Sequence, residues 1–440
     1  MTVDIAPWLA NARWPTVPIR YIARLGTGHT PSRQHPEYWQ DCTIPWVTLA
    51  DVGRLRDSTV HVITKTAEKI SPLGMANSSA VRHPAGTVIL SRTASVGFSA
   101  ILGDDMATSQ DFATWKCGSR LDRKYLLHAL RAMAPDLRRL AMGSTHKTVY
   151  MPDIAELRIP LPPVEEQRRI ADFLDAETAR IDEIVGVRQR TIKLLSERRA
   201  SLVYAAVTGA GSRPRRRVPL IWTPTLPVDW LDGKLSLFAR MGSGHTPSRS
   251  REDWWLDCTI PWVTTGEVSQ LRDDRREEIL ETRERISEVG LVNSAAELCP
   301  KGTVVLCRTA ASAGYSAVMG TAMATSQDFV TWQCGPKLDP FYLLWCLRAM
   351  RSDLLGRLAM GSTHRTIYVP DLQMLRIPVP PLVEQREIVA SIREDSRRID
   401  ASVDAIHRQM ELLTERRQAL ITAAVMGQFD VTAARGVELS

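Results

Sequence analysis

The second half of this chain repeats the first, and that repeat limits what it can fold into more than any other feature. Gly-Thr-Gly-His-Thr-Pro-Ser-Arg at Gly26–Arg33 returns as Gly-Ser-Gly-His-Thr-Pro-Ser-Arg at Gly242–Arg249, and Cys42–Thr48 returns letter for letter at Cys258–Thr264. Ala107–Phe112 returns at Ala324–Phe329, and Arg139–His146 at Arg357–His364. The offset begins at 216 residues, is 217 by Gly97 and Gly314, and is 218 from Gly143 and Gly361 onward. Single-residue insertions of this kind belong in surface turns, because packed elements do not absorb length changes. The period is too long for a solenoid, whose units run a few tens of residues. The chain is a duplicated domain-plus-helix unit.

Each half closes with a long helical pattern, Glu165–Gly209 and Glu384–Gly427. Pro162-Pro163 and Pro380-Pro381 precede them, suiting a first helical turn that has no use for an N–H. Glutamates follow, favourable at the positive end of the helix dipole, and each pattern stops at a glycine able to take a left-handed cap. Ile392, Ile399, Ile406, Leu413 and Leu420 recur every seven residues, and Val403, Met410 and Ala424 belong to the second series, offset from the first by three or four. Leu174, Ile181, Leu195 and Leu202, with Val185, Ile192 and Ala206, form the matching series in the first rod. Sustained heptads predict a coiled-coil seam. Arg188 interrupts the first seam, and Arg199 and Arg417 sit at equivalent places, either setting register or snorkelling. Rods of forty-odd residues span on the order of 65 Å, and the linker Ala210–Leu220 is too short to retrace that distance. Antiparallel pairing is therefore expected, turning a direct repeat in sequence into an inverted arrangement in space.

The expected fold is α+β: two similar mixed α/β domains, each followed by a long helix. The boundaries read 14–162 and 230–380 for the domains, 163–209 and 381–427 for the rods, 210–229 for a linker and 428–440 for a tail. The run Arg213–Arg217 is expected to be solvated linker, with grazing contact to phosphates as the alternative. Apolar content of 44% and charged content of 24% describe an ordinary folded protein. No apolar run is long enough to span a membrane, and the N-terminus lacks a signal-peptide layout. Seven cysteines without a Cys-x-x-Cys pair argue against a disulfide framework or zinc ribbon, so the cytoplasm is the expected location. Cys42, Cys258, Cys117 and Cys334 are expected to be buried small hydrophobes. A net charge of +7 favours a polyanionic partner without proving one.

Within each domain, short strand-like runs such as Gly86–Arg92 and Gly302–Arg308 alternate with turn signals, and a helix is expected over Asp122–Met133. Trp46 and Trp262 are expected in the core. Three loops carry side chains suited to duplex DNA, the backbone being met by hydroxyls and guanidinium and the base edges by bidentate groups. The first supplies His29, Thr30, Ser32 and Arg33, with His245, Thr246, Ser248 and Arg249 in the copy. The second supplies Arg92 and Thr93, with Arg308 and Thr309. The third supplies Ser144, Thr145, His146 and Lys147, with Ser362, Thr363, His364 and Arg365. Gln110 and Gln327 add an amide able to read adenine, or else close a structural turn. Capped turns with internally bonded histidines remain the plainer explanation for any one loop.

Catalytic signatures are missing. The Gly-Ser-Thr-His-Lys-Thr segment lacks the first glycine of a phosphate loop. There is no dinucleotide fingerprint, no paired metal-ligand set and no nucleophile elbow, and no carboxylate cluster completed by a lysine for a nuclease. No catalytic residue, metal or cofactor is expected.

Arg158–Arg168, its copy Arg376–Arg386, and the Gly-Ser-Thr-His segment before each resemble the specificity subunit of type I restriction–modification systems. The resemblance runs from about Trp14 to Gly427. It implies two target-recognition domains held by an antiparallel coiled coil, and no catalysis by this chain. It also implies double-stranded DNA as ligand, read as a bipartite site, with two methyltransferase subunits docked on the rods and restriction subunits joining them. Glu166, Gln167 and Arg168, with Glu384, Gln385 and Arg386, are the docking residues it suggests. Unlike typical members, the two domains here share long identical stretches, so a near-palindromic target is expected. A coiled-coil scaffold without sequence-specific DNA binding is the alternative.

Overall fold

A strand that is apolar at every position needs cover on both of its faces, and this dictates the sheets in the computed structural model, which describes residues 7–55, 59–142, 148–211, 213–358 and 366–431. The chain divides into two units, Met1–Gln189 with His407–Ser440, and Arg190–Ile406. In the first unit a five-stranded sheet runs Ala23–Thr27, Phe112–Cys117, Val88–Ser91, Ser99–Leu102, Val62–Ile63. Side chains alternate between its faces. Val88, Leu90, Ile101, Ala113 and Trp115 pack in one core with the helix Arg123–Ala132. Ile89, Ala100, Leu102 and Phe112 pack in a second, smaller core with Val47, Val52 and Met106. A four-stranded sheet lies in the order Glu68–Ile70, Ile44–Val47, Met106–Thr108, Arg82–His83.

The second unit repeats the plan. Its five strands run Ala239–Ser243, Phe329–Cys334, Val304–Cys307, Ser316–Met319, Glu278–Ile279. Val304, Leu306 and Trp332 face one core, and Val305, Cys307 and Phe329 the other. The smaller sheet keeps three strands, and the fourth survives as a bridge between Cys299 and Met323. The mixed α/β fold matches the sequence expectation, and Trp46 and Trp262 are both 2% exposed.

Two long helices, Val164–Val207 and Leu382–Met426, run 44 and 45 residues. Within the first unit they meet head to tail: the Phe173 ring lies 5.7 Å from Phe429, and Asp182 pairs with Arg417 at 3.0 Å. Within the second, Val207 and Ile392 share a core and Arg199 pairs with Asp400. Pairing is antiparallel in each unit, as the short linker required. Arg199 and Arg417 set register through these ion pairs rather than snorkelling.

Gly209 and Gly427 end the helices at φ +59° and +71°. A Cβ on Gly427 would sit 2.5 Å from the Trp14 ring. Gly427→Ala is expected to lower the stability of the first unit by about 1–2 kcal/mol, since left-handed backbone and clash act together. An unchanged urea midpoint would exclude that.

The stretch expected as solvated linker is instead a hairpin, Arg215–Arg217 against Thr225–Pro227. Arg215 caps the first long helix, donating to Gly209 O at 2.6 Å and Thr208 O at 3.3 Å. Carbonyls at a helix C-terminus have no intrahelical partner, so a cation there is favoured.

Candidate nucleic-acid interface

Strand order decides which loops share a surface. Phe112–Cys117 pairs on one side with Ala23–Thr27 and on the other with Val88–Ser91, bringing Ala113 beside Thr27 and Phe112 beside Ser91. The loops leaving these strand ends therefore emerge together, and three segments distant in sequence form one patch. His29 N donates to Thr108 O at 3.0 Å, and Thr30 Oγ1 donates to Gln110 Oε1 at 2.5 Å. Arg92 N donates to Asp111 O at 2.9 Å. The Gly28 backbone lies so near Thr108 that a Cβ would fall 1.8 Å from its carbonyl oxygen, so only glycine fits this crossing.

The copy reproduces each link. His245 N donates to Thr325 O at 2.9 Å, Thr246 donates to Gln327, and Arg308 N donates to Asp328 O at 2.8 Å. His29, Gln110, His245 and Gln327 are exposed. Each glutamine carbonyl accepts from threonine, and its amide N–H groups are the half of a bidentate adenine contact that donates.

Arg33 lies 4.9 Å over the Trp39 ring while Trp39 Nε1 donates to Ser32 O at 3.2 Å. Arg249 lies 4.8 Å over Trp255, whose Nε1 donates to Ser248 O at 3.1 Å. Trp39 and Trp255 back onto the core tryptophans at 5.5 and 5.6 Å. Stacking pre-orients a guanidinium that stays 70% exposed in Arg33 and 67% in Arg249. Glu68 and Glu284 lie 3.7 and 3.4 Å from these guanidiniums. Sequence reading passed over both surface tryptophans, although their recurrence at the 216-residue offset was a usable signal.

Other sequence candidates are placed differently. Arg92 and Arg308 are half-buried, and both bond to backbone rather than standing free: Arg92 Nη1 donates to Val149 O at 3.4 Å, and Arg308 Nε to Gln327 O at 3.0 Å. Thr93 and Thr309 bridge to Thr148 and Thr366. Ser144, Thr145, His146 and Lys147, with Ser362, Thr363, His364 and Arg365, lie outside the described residues.

Among the suggested docking residues, Gln167 and Gln385 are not on the surface at all, being 0% exposed. Gln167 Oε1 accepts from Asp122 N at 2.8 Å, and its Nε2 donates to Arg120 O and Pro162 O, both at 2.9 Å. Gln385 makes the same three bonds to Asp339, Lys337 and Pro380. Asp122 and Asp339 are in turn the N-caps of the domain helices. Each glutamine thus joins a rod to its domain. Glu384 accepts from Trp230 Nε1 at 3.1 Å and pairs with Arg213. Glu166 pairs with Arg169 and Arg168 with Glu165 on the helix itself, and Arg386 lies 3.9 Å from Asp339.

One donor cluster has the residue types of a metal site: His61, His128 and Asp175, with ligand atoms within 4.8 Å of one another. Its partners make it a latch instead. Asp175 Oδ1 takes His128 Nε2 at 2.8 Å and His61 Nδ1 at 3.1 Å, and Lys124 Nζ occupies Oδ2 at 2.9 Å. Half-burial alone would raise the Asp175 carboxyl, but bonds from His128, His61 and Lys124 hold it well below the usual range. A dication would enter against that ammonium. Burial pushes the Cys117 and Cys334 thiols up to about 12, so neither is a thiolate at neutral pH.

The model of the type I restriction modification DNA specificity domain matches residues 11–193 and again 227–400. The chain belongs to this family. A type I restriction enzyme specificity subunit, MjaIX of Methanocaldococcus jannaschii, is 21% identical over 426 residues, covering 95% of this chain and 94% of that protein. The EcoR124I/EcoR124II specificity subunit of Escherichia coli is 26% identical over 187 residues, 42% of this chain and 45% of its own. A chain from a solved structure described as the assembly and conformational transition of the type I R-M system matches with TM-score 0.70 at 21% identity, covering 96% of this chain and 99% of that one. That likeness extends the shared fold across nearly the whole molecule.

Proposed function

We propose that this chain is the non-catalytic DNA-recognition subunit of a type I restriction–modification complex, reading a bipartite and near-palindromic site on double-stranded DNA. The observation that carries this reading is one surface built twice: His29, Thr30, Gln110 and stacked Arg33 in the first unit, His245, Thr246, Gln327 and stacked Arg249 in the second. Alike surfaces select alike half-sites. Family membership favours this over a scaffold that binds DNA without preference. Two methyltransferase subunits dock on the rods, and restriction subunits join that core. Leu194 and Leu412, equivalent in the repeat and each 63% exposed, give the rods two matching apolar anchors for such partners. No described helix is long and apolar enough to cross a membrane, and the complex works in the cytoplasm.

Methylation mapping in cells carrying this chain with its methyltransferase partner tests the reading. A split motif with similar, inverted halves is the expected result, and unrelated halves would overturn it. On the purified complex, Arg33→Ala is expected to weaken target binding by about 1–3 kcal/mol, with base preference lost in one half-site only. Arg249→Ala should do the same to the other half. Competition by duplexes altered in one half at a time checks this, and equal loss on every duplex would reduce both arginines to phosphate contacts.

A further inference from the structure

A buried guanidinium is costly unless an anion faces it, and the two halves solve this problem differently. In the second unit Arg348 donates to Asp274 O at 2.7 Å and Arg276 O at 2.5 Å, and its Nε lies 3.5 Å from the Asp274 carboxylate. Arg351 grips the same carboxylate with both Nη atoms, at 2.8 and 2.6 Å. Asp274 holds φ +58°, a backbone conformation disfavoured for aspartate, to place that carboxylate.

In the first unit the equivalent of Arg348 is Arg131, and the equivalent of Arg351 is Ala134. Ser58 stands where Asp274 does in the alignment of the halves, so the carboxylate at that repeat position is lost. Arg131 is 4% exposed. Its Nη2 donates to Val60 O at 2.9 Å, while Nε and Nη1 have no hydrogen-bond partner among the described residues. Burial pushes its guanidinium down to about 10, with Arg417 lowering it further and Asp175 and Asp182 acting the other way. Beside it lies a cavity of about 360 Å3 lined by Arg131, Ala134, Arg138, Asp182, Gln189 and Arg417, with Thr59, Thr414 and Gln418 adding polar atoms. Three arginines face one aspartate there, and that aspartate already pairs with Arg417.

We propose that this cavity is a binding site for a phosphate-class oxyanion, which takes the electrostatic place that the Asp274 carboxylate fills in the second unit. Two sources share the chemistry: free phosphate, or a backbone phosphate of bound duplex. The cavity lining includes none of the residues assigned to the base-reading patch, and its failure leaves the recognition reading untouched.

The test uses the full chain with its methyltransferase partner. Inorganic phosphate is titrated by calorimetry against chloride at matched ionic strength, for wild type, Arg131→Met and Gln189→Glu. The second substitution sits on the exposed rim and keeps the fold if the first does not. Saturable phosphate binding by wild type, weakened at least tenfold by either substitution, establishes the free ligand. Should free phosphate not bind, a duplex affinity lowered equally for target and non-target sequences, with the slope of log K against log salt reduced by about one, assigns the site to a backbone phosphate. No phosphate binding, together with unaltered duplex affinity and salt slope in both variants, overturns the proposal. Base preference should survive in every variant, and its loss would instead count against the recognition surface.

Discussion

Gln167→Leu is expected to cost the first unit about 4 kcal/mol, a thousandfold shift in its folding equilibrium. Leucine fills most of the volume but removes all three hydrogen bonds, leaving the Asp122 N–H and the Arg120 and Pro162 carbonyls without their partner in a region where the glutamine is wholly buried. Each buried group deprived of its partner costs about 1–3 kcal/mol. The Asp122 N–H belongs to the N-cap of Arg123–Ala132, so the loss reaches that helix, on which the main core rests. Urea unfolding of the full chain, with hydrogen exchange resolving the first unit, measures it. Arg168→Ala, at an exposed ion pair, should stay within about 0.5 kcal/mol of wild type. If Gln167→Leu left stability intact and weakened only partner assembly, the residue would return to the docking surface that its motif suggested.

That glutamine shows where sequence reading stops. The rods were legible because heptad period, proline entry and glycine exit are local patterns, and their direction followed from linker length. Register was not, since the partners of Arg199 and Arg417 lie on the opposite helix, and Asp182 and Asp400 carry no local mark. Runs such as Val88–Ser91 announced strands, but not that Phe112–Cys117 lies between its two neighbours. Without that order, the convergence of the loops at Gly28, Arg92 and Gln110 could not be read. Arg215 looked like solvated charge because a helix end that needs capping is visible only in three dimensions.

The halves differ where each domain meets the rod. His61, Lys124, His128 and Asp175 in the first half become Glu277, Phe341, Trp345 and Arg393 in the second. The latch survives with its charges exchanged: Arg393 pairs with Glu277 at 2.6 Å and lies 4.5 Å over the Phe341 ring. A position that tolerates inversion of charge is selected for joining two elements, not for any one ligand.

The exchange gives the halves different responses to acid. Burial pushes His128 down to about 4, although Asp175 acts against that shift, and Arg131 and His61 add to it. Asp175, Lys124, His61 and Arg131 are the charged or titratable groups around it. In the unfolded chain the same imidazole titrates near 6.5. The folded value is the lower one, so as pH falls the unfolded state binds the proton first. Stability from this group is complete above about 6.5, and it drains away as pH drops toward 4, by at most about 3 kcal/mol. The equivalent position in the second unit is Trp345, which has no proton to take up. Hydrogen exchange at pH 7 and pH 4.5 should therefore show the first unit loosening selectively, with protection falling most around Arg123–Ala132. His128→Gln keeps a donor for Asp175 without the titration, and should flatten the difference between the two pH values. Equal loosening of both units, or an unchanged slope in His128→Gln, would place the acid sensitivity elsewhere.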